Sequence, residues 1–146
     1  MKKESHEKII IGRLEHVEIP EFNLRDIEAK IDTGAYNGSI HVSVVTEFEK
    51  NNKRYIRFIL LDEEHPEYHG KVFETDTFVE KKIKSSTGHT QHRYLIPVTI
   101  VLKGVELKAE LGLSNRKDLR YPILLGRKSI KKHFIIDPSK KFTHKK

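Results

Sequence analysis

Apolar and polar residues alternate along most of the chain with the period of a half-buried strand, not of a helix. Ile27, Ala29 and Ile31 alternate with Asp26, Glu28 and Lys30, and this strand runs straight into Asp32-Thr33-Gly34. Residues 40–48 and 55–61 are rich in Val, Ile, Phe and Thr, with Asn51-Asn52 between them, which predicts a hairpin. Residues 71–83 alternate less cleanly and are expected to form one strand. Residues 94–102 and 105–111 flank Lys103-Gly104, a two-residue turn in which glycine supplies the positive φ. Residues 121–125 form a short apolar strand ending at Gly126, 129–133 suit one helical turn, and 134–136 make a last strand stopped by Asp137-Pro138. Many short strands joined by turns, with almost no helical period, predict an all-β sandwich or barrel.

Composition narrows the chemistry. A chain of 146 residues suits one domain. It has no cysteine, which excludes a disulfide framework, a Cys-based zinc site and a thiol nucleophile, and fits a reducing compartment. Only three apolar residues, 9–11, follow the charged start, so no signal-peptide core is seen, and no apolar run reaches the length of a membrane span. A cytoplasmic protein without a membrane partner is expected.

The net charge of +7 raises the question of nucleic acid. Its distribution argues against it: residues 1–8 carry +1 and residues 139–146 carry +4, which leaves +2 on the body. Basic tails at 1–8 and 139–146 around a domain at 9–138 are preferred to a nucleic-acid surface.

Asp-Thr-Gly at 32–34 sits at a strand-to-loop tip, followed by Ala35, Asn37, Gly38 and Ser39. Such a tip exposes a carboxylate while holding it, and Gly34 lets the backbone turn tightly. The same residues also suit an ordinary Asp-containing β-turn. Leu124-Leu125-Gly126-Arg127 is equally a buried strand with a glycine exit. The two together are more informative. In retropepsin-type aspartic proteases, Asp-Thr-Gly after an apolar strand is paired with a later strand of two apolar residues and Gly, then a short helix.

The chain resembles a whole bacterial family of this type, the retropepsin-like proteins named ATP-dependent zinc proteases and linked to ribosomal-protein glutamate ligases. The resemblance runs from about Ile11 to Pro138. Its matching pieces are Ala29-Lys30-Ile31-Asp32-Thr33-Gly34-Ala35, Ile40-His41, Arg93, Asn115-Arg116, Tyr121-Pro122, Leu124-Leu125-Gly126-Arg127 and Asp137-Pro138. Where the family carries Thr-Ser after the triplet and one further residue, this chain has Asn37 and Gly38, with Ser39 next.

The resemblance implies a closed acid-protease β-barrel with one short helix after the Leu-Leu-Gly strand. It also implies catalytic Asp32, Thr33 and Gly34, and substrate-binding Arg93, Arg116 and His41. Arginine grips carboxylates in a two-pronged fashion, which would suit an acidic peptide such as a glutamylated ribosomal-protein tail, although an ion pair within the fold or an interface is the alternative. Acid-protease chemistry uses two carboxyls, and this chain has one Asp-Thr-Gly: Asp76-Thr77 is followed by Phe78, and Ser86-Thr87-Gly88 lacks the acid. A homodimer with paired Asp32 residues is therefore expected. Residues 62–84 are placed to form a flap, with Gly70 and Gly88 as hinges.

Neither zinc nor ATP finds support in the residues. There is no His-Glu-x-x-His and no phosphate-binding Gly-rich loop. The pairs His65/His69 and His89/His92 are better read as solvated histidines, so no cofactor is expected. A barrel that binds acidic peptides or ribosomal partners without turnover is the competing reading.

Overall fold

The computed structural model describes residues 7–84, 87–115 and 120–143. Its strands are β1 (Ile9–Ile11), β2 (Leu14–Ile19), β3 (Leu24–Asp32), β4 (Gly38–Lys50), β5 (Lys53–Leu60), β6 (Val72–Thr75), β7 (Val79–Lys84), β8 (Thr90–Leu102), β9 (Val105–Ser114), β10 (Ile123–Gly126) and β11 (Phe134–Ile136). A one-turn helix, α1 (Arg127–Ile130), separates the last two strands. The expected all-β barrel is present. Six strands close a ring in the order β10-β3-β2-β8-β9-β4, and β4 pairs back onto β10.

Alternation fills the barrel. Leu24, Ile27, Ala29 and Ile31 of β3 point inward against Val17, Ile40, Leu111 and Ile123, all in one buried apolar cluster. Burying each large aliphatic side chain contributes roughly 1.5–3 kcal/mol, so the face of β3 alone fixes its register. A bulge interrupts the β2–β3 ladder between Val17 and Ile19, where Asp26 takes φ +56°. Aspartate tolerates this left-handed conformation better than most residues. A second bulge, between Val42 and Val44, divides β4. Before it, Gly38–His41 pairs with β9 inside the barrel; after it, β4 and β5 leave as a long arm.

The predicted hairpins are present. Asn51 and Asn52 both have positive φ, at 54° and 63°, and so do Lys103 and Gly104, at 50° and 79°. Two left-handed residues in succession match the twist of the flanking strands. The single strand expected over 71–83 is instead two. Thr77 N–H turns back to Thr75 Oγ1 at 3.0 Å, and Lys53 holds Asp76 at 2.6 Å. These polar ties stop β6, which pairs with β5, and redirect the chain into β7, which pairs with β8. The helical turn begins two residues earlier than expected, at Arg127, because it starts directly from Gly126.

Two further strands precede the first one expected. β1 pairs in parallel with β11 as a separate two-stranded sheet. Residues 139–143, which open the basic tail, pack against the start of β2. Arg13 N–H donates to the Lys140 carbonyl, Phe142 N–H to that of Leu14, and the Phe142 ring stacks on His16 at 4.5 Å. The buried Glu15 carboxylate accepts from Gly12 N–H at 2.7 Å and Thr143 N–H at 2.9 Å. No helix among the described residues is long and apolar enough to cross a membrane.

Candidate active site

Asp32 is the last residue of β3, in register with Gly126 of the parallel strand β10. Its Oδ1 accepts from Gly34 N–H at 2.9 Å, and its carbonyl accepts from Ala35 N–H at 3.2 Å. The side chain is half-buried, while Thr33 and Gly34 are exposed. The carboxylate is thus held in a tight turn with a face open to solvent.

β10 and α1 shape the rest of the loop. Arg127 N–H donates to the Ala35 carbonyl at 2.8 Å, and Lys128 N–H to that of Tyr36 at 3.1 Å. The Arg127 guanidinium donates to the Thr33 and Gly34 carbonyls, each at 3.2 Å, and stands 5.4 Å from the Tyr36 ring centre. Arg127 therefore braces the Asp32 loop from behind. Gly126 is required by proximity: a Cβ there would lie 2.6 Å from the Asn37 carbonyl oxygen and closer still to that of Tyr36. The Asn37 side-chain Oδ1 is buried with no hydrogen-bond partner among the described residues.

Beside this loop opens a cavity of about 280 Å³. Its walls include Ala35, Asn37 and Gly38 from the loop and Lys81 and Arg93 from the β7–β8 hairpin. Lys81 and Arg93 are direct cross-strand partners. The aliphatic stem of Arg93 lies over Gly112 of β9, with Cδ 3.6 Å from where a Cβ would stand. The element facing the Asp32 loop is therefore the β7–β8 hairpin, later in the chain than most of the 62–84 segment considered from sequence. Gly88, with φ +87°, lies in its connection.

The other sequence-derived positions lie elsewhere. His41 is buried on β4, and its Nε2 meets Asp62 Oδ2 at 2.6 Å; it does not line the cavity. Arg116 lies outside the described residues. His65 Nδ1 accepts from Glu67 N–H, and burial lowers the pKa of this imidazole. His69 approaches the Phe22 carbonyl at 3.2 Å, and its Nδ1 accepts from Lys71 N–H. Among the described residues no three His, Asp or Glu side chains converge as a metal site.

Lys81 was not singled out from sequence, and Asn37 was noted only as a departure from the family's Thr-Ser. Lys81 sits in a run of charged residues, and only the hairpin register places it opposite Arg93.

A closed barrel presenting an Asp-Thr-Gly loop against a later Leu-Leu-Gly strand defines the acid-protease class of folds. Within it, the chain belongs to the RimB-like family, described as retropepsin-like aspartic endopeptidase RimB, whose model matches residues 10–146. A probable alpha-L-glutamate ligase of Shewanella pealeana is 32% identical over 142 residues, covering 94% of this chain and 30% of the relative. One from Parasynechococcus marenigrum is 30% identical over 135 residues, covering 90% of this chain and 28% of the relative. The chain thus spans under a third of the length of these curated relatives. The crystal structure of Lpg0085 from Legionella pneumophila, a protein of unknown function, is similar with a TM-score of 0.73 and 32% identity, over 95% of this chain and all of that one.

Proposed function

We propose that the chain is an aspartic endopeptidase that acts as a homodimer, with one Asp32 from each copy forming the reacting pair. The observation that carries this reading is the Asp32 turn, built at the barrel mouth by β10 and Arg127 and supplied once per chain. Two carboxyls about 3 Å apart cannot both ionise, so such a pair holds one proton between them. The ionised member takes a proton from a bound water, which attacks the scissile carbonyl. The protonated member donates to that carbonyl oxygen. The resulting tetrahedral carbon then collapses with protonation of the leaving amine.

Three features of the single chain support a second copy. Thr33 is exposed, and its hydroxyl has no partner among the described residues. The Asn37 Oδ1 lacks a donor among the described residues. On the two-stranded sheet, Ile10 and Ile135 are register partners and stand 49% and 54% exposed, an apolar pair suited to burial against another molecule.

The substrate in this reading is an acidic peptide, with a glutamylated ribosomal-protein tail as the leading candidate and Arg93 as a contact. The likeness to part of longer glutamate ligases supports a working link with such a ligase. Asp32→Asn is expected to leave the fold intact and abolish hydrolysis of a glutamate-tailed protein, measured by mass spectrometry of the products. Undiminished cleavage by that variant refutes the mechanism. Sedimentation is expected to give a dimer at micromolar concentration, and a strict monomer would refute the paired carboxyls. Binding of the tail by the parent without cleavage would favour the non-catalytic barrel, the reading to which Asn37 and Gly38 at the Thr-Ser positions lend some weight.

A further inference from the structure

We infer that Lys81 and Arg93 form a carboxylate-binding latch on the inner face of the β7–β8 hairpin, so that an acidic side chain in the cavity both selects the substrate and draws the hairpin onto the Asp32 loop. The latch rests on the peptidase reading for the chemistry after binding, and not for binding itself.

One face of this hairpin holds its acid in ion pairs with the arm, and the other presents cations to the cavity. On one face, Glu80 is bound by Arg54 at 2.7 Å and by His92, and Tyr94 OH donates to Glu47 at 2.9 Å. On the other, Lys81 and Arg93 stand directly opposite each other, and neither has an acidic partner among the described residues. Like charges directly across an antiparallel pair destabilise it. Lys82, on the first face, also lacks an acidic partner among the described residues, so what sets Lys81 and Arg93 apart is their direct opposition beside a cavity, a repulsion that an anion from outside would relieve. The cavity they line is bounded on its far side by the loop residues Ala35, Asn37 and Gly38, which follow Asp32 directly. It therefore lies where the side chain of a residue close to a scissile bond would sit.

The chemistry specifies the ligand class. Arg93 offers a planar fork and Lys81 a point charge, and together they suit one carboxylate gripped from two strands. A carboxylate placed between them removes the cross-strand repulsion, so binding and ordering of the hairpin are coupled. A neutral side chain of the same length would leave both cations unpaired and facing each other. Selection thus works by repulsion relieved as well as by attraction gained.

The test uses the full chain carrying Asp32→Asn, which binds without turnover, with hexaglutamate and hexaglutamine as probes in calorimetry at fixed ionic strength. Hexaglutamate is expected to bind at least about tenfold tighter than hexaglutamine, in line with charge-assisted hydrogen bonds. Lys81→Gln and Arg93→Gln are each expected to remove about tenfold of this preference, and Arg93→Lys to restore part of it. Hydrogen exchange at residues 90–95 is expected to slow on adding hexaglutamate in the Asp32→Asn chain, but not in one that also carries K81Q and R93Q. Without peptide, Lys81→Gln alone is expected to slow that exchange, a sign that a merely structural lysine would not give. Equal binding of the two peptides, no binding of hexaglutamate, or an unaltered preference in the K81Q/R93Q chain would each overturn the latch. Failure of the aspartic mechanism would read differently: cleavage by the Asp32→Asn chain with charge-selective binding intact.

Discussion

The Asp32 loop and the β4–β5 arm are held by different forces. Around the loop, the ties are mainly backbone hydrogen bonds from Arg127 and Lys128 and a strand-to-loop approach that only Gly126 permits. The arm has its own backbone ladders, β4 with β5 and β5 with β6, but its ties to the β7–β8 hairpin are between side chains. Arg54 bridges Glu47 at 2.5 Å and Glu80 at 2.7 Å and lies 5.6 Å from the Phe78 ring centre, while Arg57 holds Glu74 at 2.9 Å. Backbone contacts in a packed site have few alternatives and tolerate little change. Exposed ion pairs are screened, individually weak and readily remade. The Asp32 loop is therefore the rigid part, and the grip of the arm on the hairpin is adjustable.

The sharpest way to break this contrast is Gly126→Ala. Its methyl group would run into the Tyr36 and Asn37 carbonyls, and backbone cannot give way as a side-chain tip can. A loss of about 3 kcal/mol in a denaturant titration is expected, together with loss of loop geometry. A near-neutral result would mean the loop is looser than its contacts imply. Arg54→Met is a milder probe. It should leave global stability nearly unchanged while speeding hydrogen exchange in β7 and the first half of β8, because the arm no longer grips Glu80.

The smallest effect is that of acid. The Arg54 hydrogen bond, with help from Tyr94, lowers the Glu47 pKa to about 2, and Arg54 and His92 lower that of Glu80. Carboxylates held below their ordinary value near 4.5 stabilise the folded form fully above that value, and this support fades as pH falls toward about 2. An NMR titration should show the arm and hairpin amides shifting across that window, with the β10 amides steady. The reverse order would sink the distinction.

How much of this was legible depends on range. Alternation at Ile27, Ala29 and Ile31 and the turn pairs Asn51-Asn52 and Lys103-Gly104 are local signals, and the elements they announce are present. The barrel and the Asp32 loop followed from two motifs about 90 residues apart, because their pairing is a property of the fold class. The Asp76-Thr77 break was missed because a polar pair inside an alternating run looks like an exposed strand face until its side chains are seen turning back. β1 was missed because three apolar residues have no period of their own and become a strand only by meeting β11. Lys81 was hidden for the same reason: opposition across a hairpin depends on register, which nearby residues do not state. Glu15 reads as a surface acid in sequence and is in fact fully buried, clasping Gly12 and Thr143.

The seam between β3 and β4 is filled by β10, a strand that leaves the ribosome about 90 residues after Asp32 has emerged. Until it arrives, the growing polypeptide has two facing edges without partners, the kind of surface that invites wrong pairings and chaperone attention. The acidic turn has no rear wall during that interval. A loop assembled this way cannot take its final shape in a half-made chain, so the order of synthesis delays completion of the Asp32 site until the barrel closes.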